Sequence, residues 1–322
     1  LNVPGEQLLH VGGMAYPPPG PLAEAGASTT RYSAVQLFLR GARRVREGYD
    51  PADEDLAHVA RICRMVQGMP LAILLAAAWM EVLSPAEIAA QVERGLDFLE
   101  VDWRGVEQRH RSMLAVFDAS WQMLNADERA VFAGLSVFRG GFTAEAAEAV
   151  AGASLHTLRG LAHKSFLGRG AAGRYEVHEL LRQYAERKLD ERPGDRERAF
   201  DRHCAHYARF LAQRRDAFIK RGPGDALPEM ANIRAAWSWA LQHSRVPEIR
   251  QSMEGVFLLG ESTGSRHRGK GAALAPAVDL LRGADPTREN QLALGLALCY
   301  HACALALTGL YETATPLAQE GL

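Results

Sequence analysis

His178 is the side chain whose type and setting point most directly to chemistry. It lies in Arg174-Tyr175-Glu176-Val177-His178-Glu179-Leu180-Leu181. Tyr175 and Val177 alternate with charged neighbours as in a half-buried strand, and Leu181, Ala185 and Leu189 then recur at the spacing of one helical face. The histidine falls at the junction. At a helix start, unpaired backbone N–H groups and the positive end of the helix dipole favour an anion, so an imidazole there can join them in holding a phosphate. The plain alternative is an exposed surface histidine.

Three other groupings bear on chemistry. His203, Cys204 and His206 could suggest a metal, but no second cluster of matching spacing accompanies them, and residues of a helix face explain them; no metal is predicted. Gly264-Ser265-Arg266-His267-Arg268-Gly269-Lys270-Gly271 nearly spells a phosphate-binding GxxxxGK[ST] loop. Gly271 stands where the Mg2+-binding hydroxyl belongs and the flanks read as helices, so the stretch reads as a loop between helices. The cysteines, Cys63, Cys204, Cys299 and Cys303, are too scattered for a disulfide framework and read as free, buried thiols. No Ser-His-Asp or paired-carboxylate arrangement emerges from spacing, so no catalytic residue is predicted.

The elements that must position His178 are mostly helices. At 322 residues, two or three domains are expected. Residues 1–30 carry Pro17-Pro18-Pro19 and several glycines and read as a connecting segment, whose one apolar patch, Gln7–Val11, is too short to assign, an edge strand being one reading. Helices are predicted from Ser33 (as N-cap) to Tyr49, from Pro51 (capped by Asp50) to Val66, from Leu71 to Leu83, and from a Ser84 cap to Gly95. Between the second and third, Gly68-Met69-Pro70-Leu71 places a glycine at the end of one helix and a proline at the start of the next. After a linker near Asp102–Gly105 come helices 112–124, 126–138 (capped by Asn125), 144–150 and 155–164 (opened by Ser154), and a hairpin over 166–177 with its turn at 168–173. Helices 196–220, 228–243, 247–260, 272–282, 289–308 and 311 to the end follow, the last pair fitting the small and aromatic positions of a tetratricopeptide-type unit. The fold class expected is mainly α: a helical bundle, a winged helix with a small β-hairpin, then TPR-like repeats.

Composition narrows the function classes. Lys plus Arg (37) nearly balance Asp plus Glu (38), so there is no global field to concentrate the chain on nucleic acid. The expected recognition helix offers only Arg159, His163 and Lys164, and direct DNA binding by this segment is not expected. No window of 18 or so uninterrupted apolar residues exists, so a cytoplasmic protein without a membrane partner is expected. A start at Leu1 and a stop inside a helical pattern suggest a fragment.

The order of Gly68-Met69-Pro70-Leu71, Arg109-His110-Arg111-Ser112, Leu135–Thr143 (LSVFRGGFT), His163-Lys164-Ser165, Val177-His178-Glu179 and Asn232–Trp237 (NIRAAW) resembles bacterial signal-transduction ATPases of the STAND class, more narrowly NB-ARC-type regulators related to AfsR and MalT. The resemblance implies 1–30 as the end of a nucleotide-binding core and linker, 31–100 as the helical (ARC-type) domain, 101–192 as a winged helix, and 193–322 as an incomplete TPR-like region. It also implies that Gly68 and Pro70 match a Gly-x-Pro turn near the nucleotide, with Met69 where Leu is usual. His178 matches a Met-His-Asp histidine that contacts the ADP phosphate, with Val177 and Glu179 replacing Met and Asp. The cofactor implied for the full-length parent is ATP/ADP with Mg2+, bound by an upstream core; the fragment alone is expected to bind none and to lack enzyme activity, while the parent would be a slow ATPase switch with a transcriptional output. A protein or small-molecule effector would engage the repeats. The competing expectation is a helical scaffold that binds protein and never sees nucleotide, with the Gly68 turn and His178 far apart or facing solvent.

Overall fold

Between Ser33 and Arg94 the computed structural model forms four helices, α1 (Ser33–Val45), α2 (Asp53–Met65), α3 (Pro70–Ala78) and α4 (Pro85–Arg94). The structure describes residues 12–18, 27–100, 112–170, 173–222, 224–262 and 273–321. It is mainly α, with one two-stranded antiparallel sheet among the described residues. Two units divide it: one takes the described residues up to Arg129 together with His178–Tyr184, the other Ala130–Val177 and the described residues from Ala185 onward.

In the first unit α1 buries Ala34, Val35, Phe38, Leu39 and Ala42, and α2 buries Leu56, Val59, Ala60, Ile62 and Cys63. Each large apolar side chain so buried contributes about 1.5–3 kcal/mol. α3, PLAILLAAA, is apolar on nearly all sides and has α1 and α2 packed on it. Gly41 sets the α1–α3 approach, since a Cβ there would lie 2.8 Å from that of Ala77. α5 (Met113–Gln122) presents Phe117 and Trp121 edge-on to Tyr184, whose hydroxyl donates to Asp118.

The second unit takes over within α6 (Ala126–Leu135), which a reciprocal Asn125–Glu128 capping box begins. α7 (Ala144–Ala151) and α8 (Leu155–His163) are capped by the hydroxyls of Thr143 and Ser154. β1 (Gly168–Arg169) pairs with β2 (Tyr175–Glu176) in the register Gly168 to Glu176 and Arg169 to Tyr175, and Phe142 exchanges backbone bonds of 2.9 and 2.8 Å with Tyr175. After α9 (Glu179–Asp190) come α10 (Asp195–Arg221), α11 (Met230–Gln242), α12 (Val246–Ser262), α13 (Ala275–Arg282), α14 (Arg288–Leu307) and α15 (Tyr311–Glu320). α10 packs on α11 and α12, α12 on α14, and α14 on α13 and α15, the neighbour-to-neighbour contacts of a helical array. Cys204, Ile249, Met253, Leu274, Val278, Leu281 and Leu298 are in its core. By length and composition α14 is apolar enough to cross a membrane; here it lies against α12, α13 and α15.

Several boundaries differ from the sequence expectations, each for a local reason. Ser33 is not the cap of α1: Tyr32 holds that place, and a free donor of the first turn, Ala34 N–H, is met by the Ala15 carbonyl at 3.0 Å. α2 starts at Asp53 rather than Pro51 and Asp50 does not cap it, because Asp53, Glu54 and Asp55 already oppose the dipole in its first turn. The 71–83 helix is shorter, giving way to a 3-10 turn over Trp79–Glu81, where Trp79 stacks on Phe98 at 4.8 Å and donates to its carbonyl at 3.0 Å. α6 stops at Leu135, short of Phe138, and Gly168 belongs to a strand rather than the turn. On α9 it is Leu180, not Leu181, that is buried with Ala185 and Leu189. Pro228 lies in a 3-10 turn before α11. All four cysteines are free, with Cys63 and Cys204 buried, Cys299 half-buried and Cys303 exposed. Gln7–Val11 and the Asp102–Gly105 linker lie outside the described residues.

Candidate functional site

The turn that follows α2 is built by two residues of positive φ, Gln67 at 48° and Gly68 at 68°. Gly68 N–H reaches back to the Cys63 carbonyl at 3.0 Å and Gln67 N–H to Arg64 at 2.9 Å, closing the helix; Met69 N–H then donates to Val66 at 2.9 Å and Pro70 opens α3. A glycine is required at 68 on two counts. Its φ is left-handed, and a Cβ would sit 2.1 Å from the Met14 carbonyl oxygen. The approach is mutual: Met14 N–H donates to the Gly68 carbonyl at 2.9 Å, and a Cβ on Gly13 would meet the Gln67 carbonyl at 2.3 Å. Gly68 is buried and Pro70 is exposed.

His178 occupies the cap position of α9. Its Nδ1 accepts the Leu180 N–H at 3.2 Å, one of the donors that a helix start leaves free. With Nδ1 accepting, the proton of a neutral ring is on Nε2, and the ring lies near the backbone of Val66, the residue that precedes the Gln67–Gly68 turn. Burial holds the His178 pKa below its ordinary value, against the Glu179 carboxylate and the Val66 carbonyl, which favour the charged form. Glu179 is engaged by the Arg182 guanidinium at 2.8 and 2.9 Å and by Gln183 at 3.2 Å.

Of the three residues expected from sequence, the fold thus brings His178 to the Gly68 turn and leaves Pro70 as the start of α3. What this arrangement can do chemically is present a neutral imidazole N–H, fixed in tautomer by a helix N-terminus, near the Gly68 turn. Sequence reasoning missed Gly13, Met14 and the Val66 carbonyl; the Gly12-Gly13 pair was the available signal, read only as part of a connecting segment. His203, Cys204 and His206 point to different surroundings: His203 lies against Phe138 and Tyr207, while Cys204 is in the core of the array. Among the described residues no group of three or more His, Cys, Asp or Glu side chains could hold a metal ion. Gly264–Gly271 lies outside the described residues.

No protein-family model matches the chain. A Mycobacterium tuberculosis (strain ATCC 25618 / H37Rv) protein with the provisional name HTH-type transcriptional regulator is 34% identical over 256 residues, covering 72% of this chain and 28% of that protein. A Mycobacterium bovis (strain ATCC BAA-935 / AF2122/97) protein with the same kind of name matches to the same extent. An uncharacterized protein of Mycobacterium tuberculosis (strain ATCC 25618 / H37Rv) is 34% identical over 186 residues, 54% of this chain and 47% of its own length. The chain is thus similar to part of these proteins and spans 28% of the length of those it matches over 256 residues. Among solved structures, a STAND protein with a tetratricopeptide repeat sensor from Pyrococcus horikoshii aligns over 90% of this chain and 53% of its own at 14% identity, with a TM-score of 0.23.

Proposed function

We propose that this chain is the regulatory part of an ATP/ADP-switched transcriptional regulator of the STAND, NB-ARC type, coupling nucleotide state to a helical sensor array. The observation that carries the reading is the placement of His178, a residue far along the chain from Gly68, at the start of α9 and near the backbone just before the Gly68 turn. These are the two features that the family resemblance assigns to the nucleotide. In the proposed switch, ADP bound by a nucleotide core offers a phosphate oxygen to the ring N–H of His178. α9 then belongs to a winged helix, and its position follows the nucleotide. Kinship with HTH-type transcriptional regulators supports a transcriptional output. The array would receive a protein or small-molecule effector, in the cytoplasm.

A charge-assisted hydrogen bond contributes about 1.5–3 kcal/mol, enough to move a two-state population by about one to two orders of magnitude. In the whole regulator His178→Ala is expected to weaken ADP by that factor and to raise output without inducer. Titration calorimetry with ADP and a reporter assay measure the two. Unchanged ADP affinity together with unchanged basal output would reject the reading and leave His178 as a helix cap alone.

A further inference from the structure

Two stretches prominent in the sequence, Leu135–Thr143 and Asn232–Trp237, play no part in the His178 site. The structure joins them to each other. Asn232 is fully buried, with both ends of its amide used: Oδ1 accepts the Arg139 N–H at 2.7 Å, and Nδ2 donates to the Gly141 carbonyl at 3.0 Å and to Glu229 Oε2 at 3.1 Å. Glu229, 4% exposed, also accepts from the Tyr207 hydroxyl at 2.7 Å and from Arg174, which immediately precedes β2. The second arm of Arg174 returns to the Gly141 carbonyl. Arg139 closes the other side, donating to the carbonyls of Ser136 and Phe138 at 2.8 and 3.2 Å. Gly140, at φ 82°, makes the turn that presents these backbone groups.

We infer that Glu229 and Asn232 form a polar latch that holds the first helices of the array to the 139–141 loop and the hairpin, so that residues 130–177 and α10–α11 move as one body. Three features favour a latch over ordinary core packing. The contacts are directional, and they read backbone groups of a loop, so only one docking of the two parts satisfies them. An ion pair taken out of water is a weak source of net stability and is better suited to selecting one arrangement among several. Burial alone would raise the Glu229 pKa, and the bonds from Arg174, Tyr207 and Asn232 outweigh it and hold the carboxyl below its usual range, so the group stays charged inside the joint. The consequence is mechanical. The connection between α9 and α10 turns at the left-handed Gly194 and is crossed by Arg196, which bonds Asp190 at 2.7 Å; the latch is a second tie, holding α10 and α11 to the loop and hairpin. A signal received on the array then reaches the hairpin as a rigid displacement.

Hydrogen exchange on the full chain tests this. In Asn232→Ala the Arg139 amide, which loses its acceptor, should exchange about tenfold faster or more, as should its neighbours in the 139–142 loop, while amides in the middle of α8 and α12 keep their wild-type rates. Thermal unfolding of the second unit should separate into two transitions. Arg174→Lys keeps the charge opposite Glu229 but loses the planar reach to Gly141, and should give the same local pattern at smaller amplitude. It also serves if Asn232→Ala does not fold. Exchange that rises uniformly through the second unit in both variants, or does not change at the loop in either, overturns the latch.

Discussion

At the scale of single residues, two histidines are neutral in the fold for related reasons and give different tests. His203 is fully buried, its ring 5.2 Å from that of Phe138 and 4.8 Å from that of Tyr207. Burial pushes its pKa down to about 3, with Asn232 and Glu229 opposing and His206 and Arg139 assisting. The unfolded chain therefore binds a proton that the native state refuses between the ordinary histidine value of about 6.5 and the folded value. Stability conferred by the neutral ring is present above that ordinary value and is lost as pH falls, by up to about 1.4 kcal/mol per pH unit. His178, His206 and His301 are shifted in the same direction, so the contribution of His203 is read by difference. Urea unfolding at steps from pH 7 to pH 5 should show a shallower decline in His203→Leu than in wild type; parallel declines would remove His203 from the account. Gly68 gives a second test. Alanine there must adopt a left-handed φ and push the Met14 carbonyl away, so Gly68→Ala should destabilise by about 2 kcal/mol or more and abolish exchange protection of the Met14 amide. Thermal melting and hydrogen exchange measure both.

At the scale of elements, the caps separate what local sequence specifies from what it does not. Ser84 and Glu87 cap α4 reciprocally, through bonds of 2.8 Å to the Ser84 N–H and 3.4 Å to the Glu87 N–H. Ser84→Ala should cost about 1 kcal/mol. Asp50 looks like a cap in sequence, but α2 begins at Asp53 without it, and Asp50→Ala should change stability by less than about 0.5 kcal/mol. Chemical denaturation of the two variants side by side checks the contrast; equal losses would mean that α2 starts earlier than described. The same logic explains α1. Its Ser33 has the right chemistry for a cap, yet the donor is satisfied by Ala15, from a segment whose proline-rich neighbourhood reads as loop. Competition between a nearby side chain and a distant carbonyl has no local signature.

At the scale of the whole molecule, the proposed division of labour makes a plain prediction about the chain by itself. The groups that the family resemblance assigns to the β- and γ-phosphates and Mg2+ belong to a nucleotide core, and Gly271 cannot supply the hydroxyl that a P-loop needs. The chain alone should therefore show neither tight ATP or ADP binding nor hydrolysis. Micromolar affinity with Mg2+-dependent turnover, by calorimetry and phosphate release, would overturn this and make Gly264–Gly271 the first place to look.

The order and type of elements could be read from sequence, because helical periodicity and turn chemistry are local. Ser154 opens a helix where expected, Gly68 and Pro70 separate two others, and the hairpin lies within 166–177. Each depends on side chains within a few residues of the backbone they satisfy. His178 was likewise visible as a helix-start residue. What it lies near was not, since the approach of its ring to the Val66 backbone is a juxtaposition across the fold that leaves no periodic trace. The buried joint is a sharper case. Glu229 and Asn232 look in sequence like surface polar residues, and only tertiary structure could make them core, with Arg174 and Arg139 half-buried around them, because a buried charge is tolerable only where every donor and acceptor finds its partner at once.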